Sequence, residues 1–316
     1  MKPAKRLLLA LSATVFTLAA CSKKNNTGAA YPTEPVTDIP GYYISKLNKN
    51  DKSSDSFVYN SRGKLIQIWG AYSLGDGWDY AYTDYIYGPD GKLIETRLYN
   101  RSSINGPRTL WILRQYKITN GRIHCATSYP DGSGDGWTSS VALNAAGQFS
   151  LLGSKDTLPG NDGITHKPIR YLSYRELRYQ SSNIHQFVSD NFTISENVNP
   201  DYTLVRNNLE YTYGKRPNAM NRLISNDPVL AWCLYERFMH DEYMAFFGGS
   251  TMLEKSVQTI KTKKLDSIFT NYYTYSDIDT IGGPIWKTMK FDRRDAYSHG
   301  KLTSSYKYSA TYIKLQ

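Results

Sequence analysis

Apolar and polar residues alternate along most of this chain, and polar turns carrying a glycine interrupt the alternation at intervals. Phe57-Val58-Tyr59-Asn60-Ser61-Arg62-Gly63-Lys64-Leu65-Ile66 returns 28 residues later (85 minus 57) as Tyr85-Ile86-Tyr87-Gly88-Pro89-Asp90-Gly91-Lys92-Leu93-Ile94. A degenerate copy, Val141-Ala142-Leu143-Asn144-Ala145-Ala146-Gly147-Gln148-Phe149, starts 56 residues after the second (141 minus 85). Between them, Tyr116-Lys117-Ile118-Thr119-Asn120-Gly121-Arg122-Ile123 repeats the pattern with one turn residue fewer. Tight hairpins need a positive φ, which glycine reaches at little cost. The pattern predicts an antiparallel meander of hairpins over 57–70, 80–99 and 109–153. Gly75-Asp76-Gly77-Trp78 and Gly134-Asp135-Gly136-Trp137 supply further tight turns. Residues 154–168 hold Pro159, Gly160, Asp162, Gly163 and Pro168 and read as a long loop.

Strands resume at 169–179, 183–195 and 202–213, then at 265–275 and 285–292, and Ser298-His299-Gly300-Lys301-Leu302 reads as one more turn. Near the end, Tyr306, Tyr308, Ala310 and Tyr312 alternate with Lys307, Ser309, Thr311 and Ile313 and therefore share one sheet face. One element breaks this rhythm. Asp227-Pro228 offers an N-cap and a first-turn proline, Val229 to Phe247 follow without Gly or Pro, and Gly248-Gly249 stops the helix. Glu236, Arg237, His240 and Asp241 fall on one face; Leu230, Leu234, Tyr235, Phe238 and Phe246 fall broadly on the other. A lone amphipathic helix in a β chain packs against the sheet, covering or plugging it.

The first residues carry a different message. Lys2, Lys5 and Arg6 precede an apolar run from Leu7 to Ala20, too short to cross a bilayer but suited to a signal peptide spanning 1–20. Leu18-Ala19-Ala20-Cys21 resembles the lipobox of bacterial lipoproteins, which implies lipidation of Cys21. Residues 21–40 read as a tether reaching about 25 Å if it is a flexible coil. Lys23 and Lys24 stand where surface-exposed lipoproteins of Bacteroides-type bacteria carry acidic residues, favouring an outer-membrane lipoprotein that faces the periplasm. Residues 41–316 form the single β-rich repeat domain.

Composition adds 27 Tyr, 6 Trp and 10 Phe, suited to pleated, half-buried surfaces. The formal charge is +10; removing the three cations of the signal segment leaves +7, and export makes nucleic acid an improbable partner. Anionic headgroups, acidic glycans, or simply a solvated basic surface account for the excess. Cys125 and Cys233 sit among apolar neighbours, as a disulfide or as two buried thiols.

Two resemblances follow from these residues. The Tyr-x-Tyr unit ending in Gly-Lys-Leu, around Gly63 and Gly91, is similar to the YD repeats of the rearrangement-hotspot family, whose hairpins wind into shells. The lipobox, the hairpins, Asn226-Asp227-Pro228 and the strands from Leu265 to Tyr312 together resemble a family of Bacteroides-type lipoproteins of unknown function with a porin-like fold. That resemblance implies a mainly β chain: a large curled antiparallel meander sheet, open and barrel-like, with one amphipathic helix inserted near 228–247. It supplies no catalytic residues. Lys, Arg and Asp on many strand positions favour a soluble barrel-like domain over a membrane-spanning porin.

Candidate chemistry is sparse. Asp131-Gly132-Ser133-Gly134-Asp135-Gly136 has the spacing of half a calcium loop, but Ala142 holds the position of its bidentate Glu. Glu236 and His240, four apart, lack a distant third metal ligand. No Gly-x-Ser-x-Gly elbow or phosphate loop occurs, so the expectation is a non-enzymatic protein without metal or cofactor. Three binding roles stand: scaffolding in the cell envelope, glycan capture through turn-proximal Trp78 and Trp137, or carriage of a lipid or other hydrophobic ligand beneath the helix.

Overall fold

The computed structural model describes residues 42–50, 53–74, 77–101, 107–161, 168–195, 205–262, 266–279, 285–296 and 300–314. Its strands are β1 (Tyr42–Lys49), β2 (Ser53–Tyr59), β3 (Leu65–Leu74), β4 (Gly77–Tyr87), β5 (Leu93–Arg101), β6 (Thr109–Thr119), β7 (Arg122–Ser128) and β8 (Trp137–Leu143). They continue as β9 (Phe149–Asn161), β10 (Pro168–Gln180), β11 (Asn183–Ser195), β12 (Val205–Pro217), β13 (Thr251–Thr262), β14 (Asp266–Asp279), β15 (Ile285–Asp295) and β16 (Lys301–Lys314). A short 3-10 turn (Ala219–Leu223) and the helix α1 (Pro228–Phe246) lie between β12 and β13.

Each strand pairs antiparallel with the next, and β1 pairs with β16, so the sheet closes into a barrel. Closure corrects the expected open sheet. The β1–β16 ladder, from Tyr42 opposite Lys314 to Lys49 opposite Tyr308, joins the two ends of the domain and leaves no free edge. The expected loop at 154–168 is also corrected. Strand β9 runs through Pro159 and Gly160, paired with Arg170 and Ile169 of β10. Strands β1 and β13 complete the wall where the sequence pattern had assigned none.

The repeated hairpins share one geometry. In the first, Gly63 N–H donates to Asn60 C=O, and Asn60 Oδ1 accepts from the N–H groups of Arg62 and Lys64. Gly63, Gly91 and Gly147 take φ of 73°, 76° and 76° in the equivalent turns, a conformation that disfavours any residue with a Cβ. A β-bulge follows each of these turns. Ile66, Ile94 and Ser150 are the extra residues, skipped in the pairing to the preceding strand.

Sixteen strands spaced ~4.8 Å apart and tilted about 40° enclose a bore roughly 30 Å across. That is too wide for the wall's own side chains to fill, and α1 fills it at one end. Phe238 stacks on Phe57 of β2 at 6.0 Å, Trp232 meets Tyr116 of β6 at 6.0 Å, and Tyr235 meets Phe149 of β9 at 5.6 Å. Phe246 packs on Trp286 of β15 and Tyr308 of β16 at 5.7 and 5.2 Å. These strands lie on opposing arcs of the barrel, so the helix crosses the bore.

Its two ends fix its orientation. Asp227 Oδ1 accepts from the N–H groups of Val229 and Leu230, while Oδ2 accepts from the Leu93 N–H at the start of β5, 3.0 Å away. Beyond the other end, Gly248 C=O accepts from the Ile184 N–H in β11 at 2.9 Å. Asn218 Nδ2 donates to the carbonyls of Phe246 and Gly249, closing the insertion on itself. Leu93 and Ile184 both follow hairpin turns at one end of the barrel, so the helix lies across that end as a floor. The chain enters at this end too, through Tyr42.

Three ion pairs tie the polar face of the floor to the wall. Arg237 meets Asp55 of β2 at 2.5 Å, Glu236 meets Arg114 of β6 at 2.8 Å, and Glu242 pairs with Lys49 of β1. The first is the most enclosed, with both side chains close to one-eighth exposed. Among the described residues no helix is long and apolar enough to cross a membrane, which leaves the strands unaddressed.

Two outcomes follow from the floor's anchorage. Asp227→Ala should lower unfolding free energy by about 2–4 kcal/mol, from the lost cap plus a stranded Leu93 N–H. Asp227→Ser, which keeps only the cap, should fall between it and wild type in urea titrations. Asp55→Ala should cost about 3–5 kcal/mol by leaving Arg237 enclosed without its carboxylate. Asp55→Ala combined with Arg237→Met should recover most of that loss.

Candidate functional site

The two faces of the wall are read from strand alternation and burial together. Positions in phase with buried Phe57, Leu177, Leu209, Tyr273 and Phe291 face the bore. Those out of phase face outward and are heavily charged. They include Lys117, Arg122, Glu176, Arg178, Arg206, Glu210, Lys255, Lys290, Asp292 and Lys307. Many pair along the outer surface: Lys155 and Arg178 with Glu176, Arg206 with Asp190, Lys290 with Asp292.

Above the floor, the bore is polar. Thr83, Thr96, Arg114 and Thr127 face it from β4 to β7, and Asn207, Ser256, Gln258, Asn271 and Arg293 face it from β12 to β15. Gln258 Nε2 donates to Asn207 Oδ1, and Asn271 Nδ2 to Ser256 Oγ. The Arg293 guanidinium lies over the Phe269 ring at 3.9 Å. Ser173 and Arg175, in phase with buried Leu177, are exposed, so water reaches this part of the bore.

Between floor and wall sits a cavity of about 200 Å³ lined by Tyr85, Leu98, Ile112, Thr83, Thr96, Arg114, Tyr116, Cys233, Glu236 and Arg237. One side is apolar; the other carries the guanidinium–carboxylate pair Arg114–Glu236 and a short chain of polar hydrogens. Cys233 Sγ donates to Tyr116 Oη at 3.2 Å, and Tyr116 Oη lies 3.0 Å from Thr96 Oγ1. Burial pushes both the Cys233 thiol and the Tyr116 hydroxyl up, so both stay protonated at neutral pH. For Arg114, burial is the strongest single influence and acts against the charge, but Glu236 and the neighbouring groups together exceed it, and the guanidinium is held more firmly charged than usual. The cavity thus offers an apolar side and a polar, charged side to a small amphipathic molecule.

The residues singled out in the sequence fare unevenly. Cys21 lies outside the described residues. Trp78 pairs with Ser73 in the β3–β4 ladder, its side chain outside the described set, and Trp137 opens β8 opposite Thr127. The two tryptophans stand on strands four apart in the barrel. Trp137 is 44% exposed, at the end of the barrel away from the floor. Cys125 and Cys233 are both free thiols. Glu236 is taken up by Arg114, and the side chains of His240 and Asp241 lie outside the described set. Asp131 Oδ1 accepts from the Ser133 N–H in an exposed β7–β8 turn, the stretch whose spacing resembles half a calcium loop. Sequence reading missed Arg114, Thr96 and Tyr116, because only closure brings β5 and β6 over the helix.

No protein-family model matches the chain, and no curated protein is similar to it. Among solved structures, a porin-like protein from Bacteroides uniformis is similar with a TM-score of 0.45 and 15% identity, over 87% of this chain and 98% of its own. A porin-like protein from Bacteroides vulgatus gives a TM-score of 0.35 and 12% identity, over 86% of this chain and 99% of its own. At these scores neither likeness bears on function, and the barrel stands on its own strand registers.

Proposed function

We propose that this protein is a lipid-tethered barrel of the bacterial cell envelope that binds a small ligand in its bore, conducts nothing and catalyses nothing. The observation that carries the reading is the floor. Leu234, Tyr243, Met244, Phe246 and Phe247 are at most 1% exposed, leaving no room for a water-filled channel past them. The charged outer wall supports the same reading, because each Lys or Arg held at a bilayer midplane costs about 2–4 kcal/mol. The lipobox-like Leu18-Ala19-Ala20-Cys21 supports the tether, and entry of the chain at the floor end turns the opposite end away from the membrane. The cavity beside Arg114 is the place for the ligand.

Carriage of an acyl chain beneath the helix gains little support. The space on that side, about 170 Å³, is lined by Phe149 and Tyr243 but also by the polar Lys92, Gln148, Asn221, Ser225 and Asn226, so it offers no continuous apolar sleeve for a long hydrocarbon chain. Glycan capture is favoured by one observation, the half-exposed indole of Trp137 at the far end of the barrel.

In planar bilayers the purified protein should give no conductance steps, and residues 22–316 should stay soluble without detergent. Wild type should carry acyl mass on Cys21, and a high-salt wash should strip Cys21→Ser from the membrane fraction while leaving wild type bound. Stepwise conductance would overturn the plugged reading, and an unmodified Cys21 the tether. For the glycan reading, saturable binding on a polysaccharide array should disappear with Trp137→Ala; unchanged binding, or none in the wild type, rejects it.

A further inference from the structure

The hairpin bulges leave a trace on the outer wall. In the Gly-Lys-Leu-Ile units the leucine points in, with Leu65 and Leu93 1% and 2% exposed. The bulge turns the next residue out, and Ile66 and Ile94 are 36% and 43% exposed. Val58 and Ile313 join them at 38% each, Ile313 directly opposite Tyr43 in the β1–β16 ladder. The equivalent bulge positions elsewhere hold Ser150, after the β8–β9 turn, and His185, after the β10–β11 turn. Among the described residues, the exposed aliphatic outward positions at the floor end therefore fall in one sector, β16 through β5; Leu302, 45% exposed, lies on β16 at the opposite end.

Contacts knit that sector together. The Tyr43 and Tyr59 rings meet at a tilt with centroids 5.1 Å apart, a Cβ on Gly63 would meet the Tyr43 hydroxyl, and Lys64 Nζ donates to Gly91 C=O, joining one turn to the next. Cations border it: Lys46, Arg62 and Lys314 are exposed, with Lys64 and Lys92 half-buried beside them. The acidic groups nearby are Asp84, which accepts from Gln67, Glu95, which pairs with Arg97, and exposed Asp90. The chain before Tyr42 joins the barrel in this same sector.

We propose that this sector of the floor end is a membrane-contact edge, with the outward isoleucines entering the headgroup boundary of an anionic phospholipid bilayer and the bordering cations meeting its phosphates. Charge complementarity favours that surface, and so does the position of Tyr42, since a chain anchored at Cys21 would deliver this sector to lipid first. The inference rests on the tethered reading but is tested without the anchor. The barrel closes between β1 and β16 without any residue before Tyr42, so residues 22–316 serve as the unacylated protein.

The experiment is co-sedimentation with vesicles of phosphatidylethanolamine and phosphatidylglycerol, set against phosphatidylcholine alone. Residues 22–316 should bind the anionic vesicles and release as salt rises. Ile66→Ser with Ile94→Ser should weaken binding at least about tenfold. Arg62→Glu with Lys46→Glu should weaken it on anionic vesicles, whereas Tyr272→Ser, on the outer face of β14, should leave it unchanged. Both isoleucines are solvent-exposed, so circular dichroism and melting should match wild type. Absence of vesicle binding, or equal binding by the double isoleucine variant, overturns the membrane edge while leaving acylation of Cys21 untouched. If the isoleucine variant instead only dissolves a dimer seen by size exclusion, the face is a protein interface and the proposal fails.

Discussion

The constraint beneath everything else is the width of a sixteen-strand barrel. Eight strands leave a bore that side chains can fill; sixteen leave one they cannot. A chain that builds such a barrel either accepts a channel or supplies a separate body to occupy it. Here the body is one helix of 19 residues, ~28 Å long at 1.5 Å per residue, close to the span it must cross. Its aromatic residues reach opposing strands at once, through Phe238 on β2, Trp232 on β6 and Phe246 on β15. The apolar core is therefore shared between helix and wall. The wall lacks a filled core without the helix, and the helix has no partner for its wide apolar surface without the wall.

This arrangement sets the polarity of each wall face. At the floor end, inward positions are Leu65, Leu93, Phe149 and Ile184, all at most 2% exposed. Farther from the floor, inward positions on β12 to β15 include Asn207, Gln258, Asn271 and Arg293. A buried amide or guanidinium needs a partner, and the wall provides several, as in Gln258 to Asn207 and Arg114 to Glu236. The outer face holds alternating cations and carboxylates. The hydrocarbon thus gathers inside at the floor end, while many charges stand on the outer face.

Local patterning made much of this legible. The Asp227-Pro228 start, the Gly248-Gly249 stop and the inward tyrosine row of β16 are encoded within a few residues, and the helix and strand stand where those signals place them. Closure was not legible, because it rests on pairing Tyr42–Lys49 with Tyr308–Lys314, partners 259 (308 minus 49) to 272 (314 minus 42) residues apart. Pro159-Gly160 read as loop because proline and glycine usually break strands, yet tertiary pairing with β10 carries β9 past them. Of the candidate site, the helix residues Glu236 and Arg237 were visible as a polar face. Their partners Arg114 and Asp55 lie 122 and 182 residues away and carry no local mark.

The repeat itself shows how a short motif can carry two kinds of information. Its glycine fixes the turn, and that requirement is the same in every copy. Its bulge fixes which way the following residue points, and nothing about the turn dictates what that residue must be. Leu65 and Leu93 face the core and answer to packing, as Phe149 and Ile184 do in the related hairpins. The outward position is released from that demand, and it holds isoleucine in one sector and serine or histidine in others. A fold built from repeats thus keeps its chemistry inside nearly uniform while its surface varies hairpin by hairpin, and positions freed by a bulge are where a surface function can be written without disturbing the core.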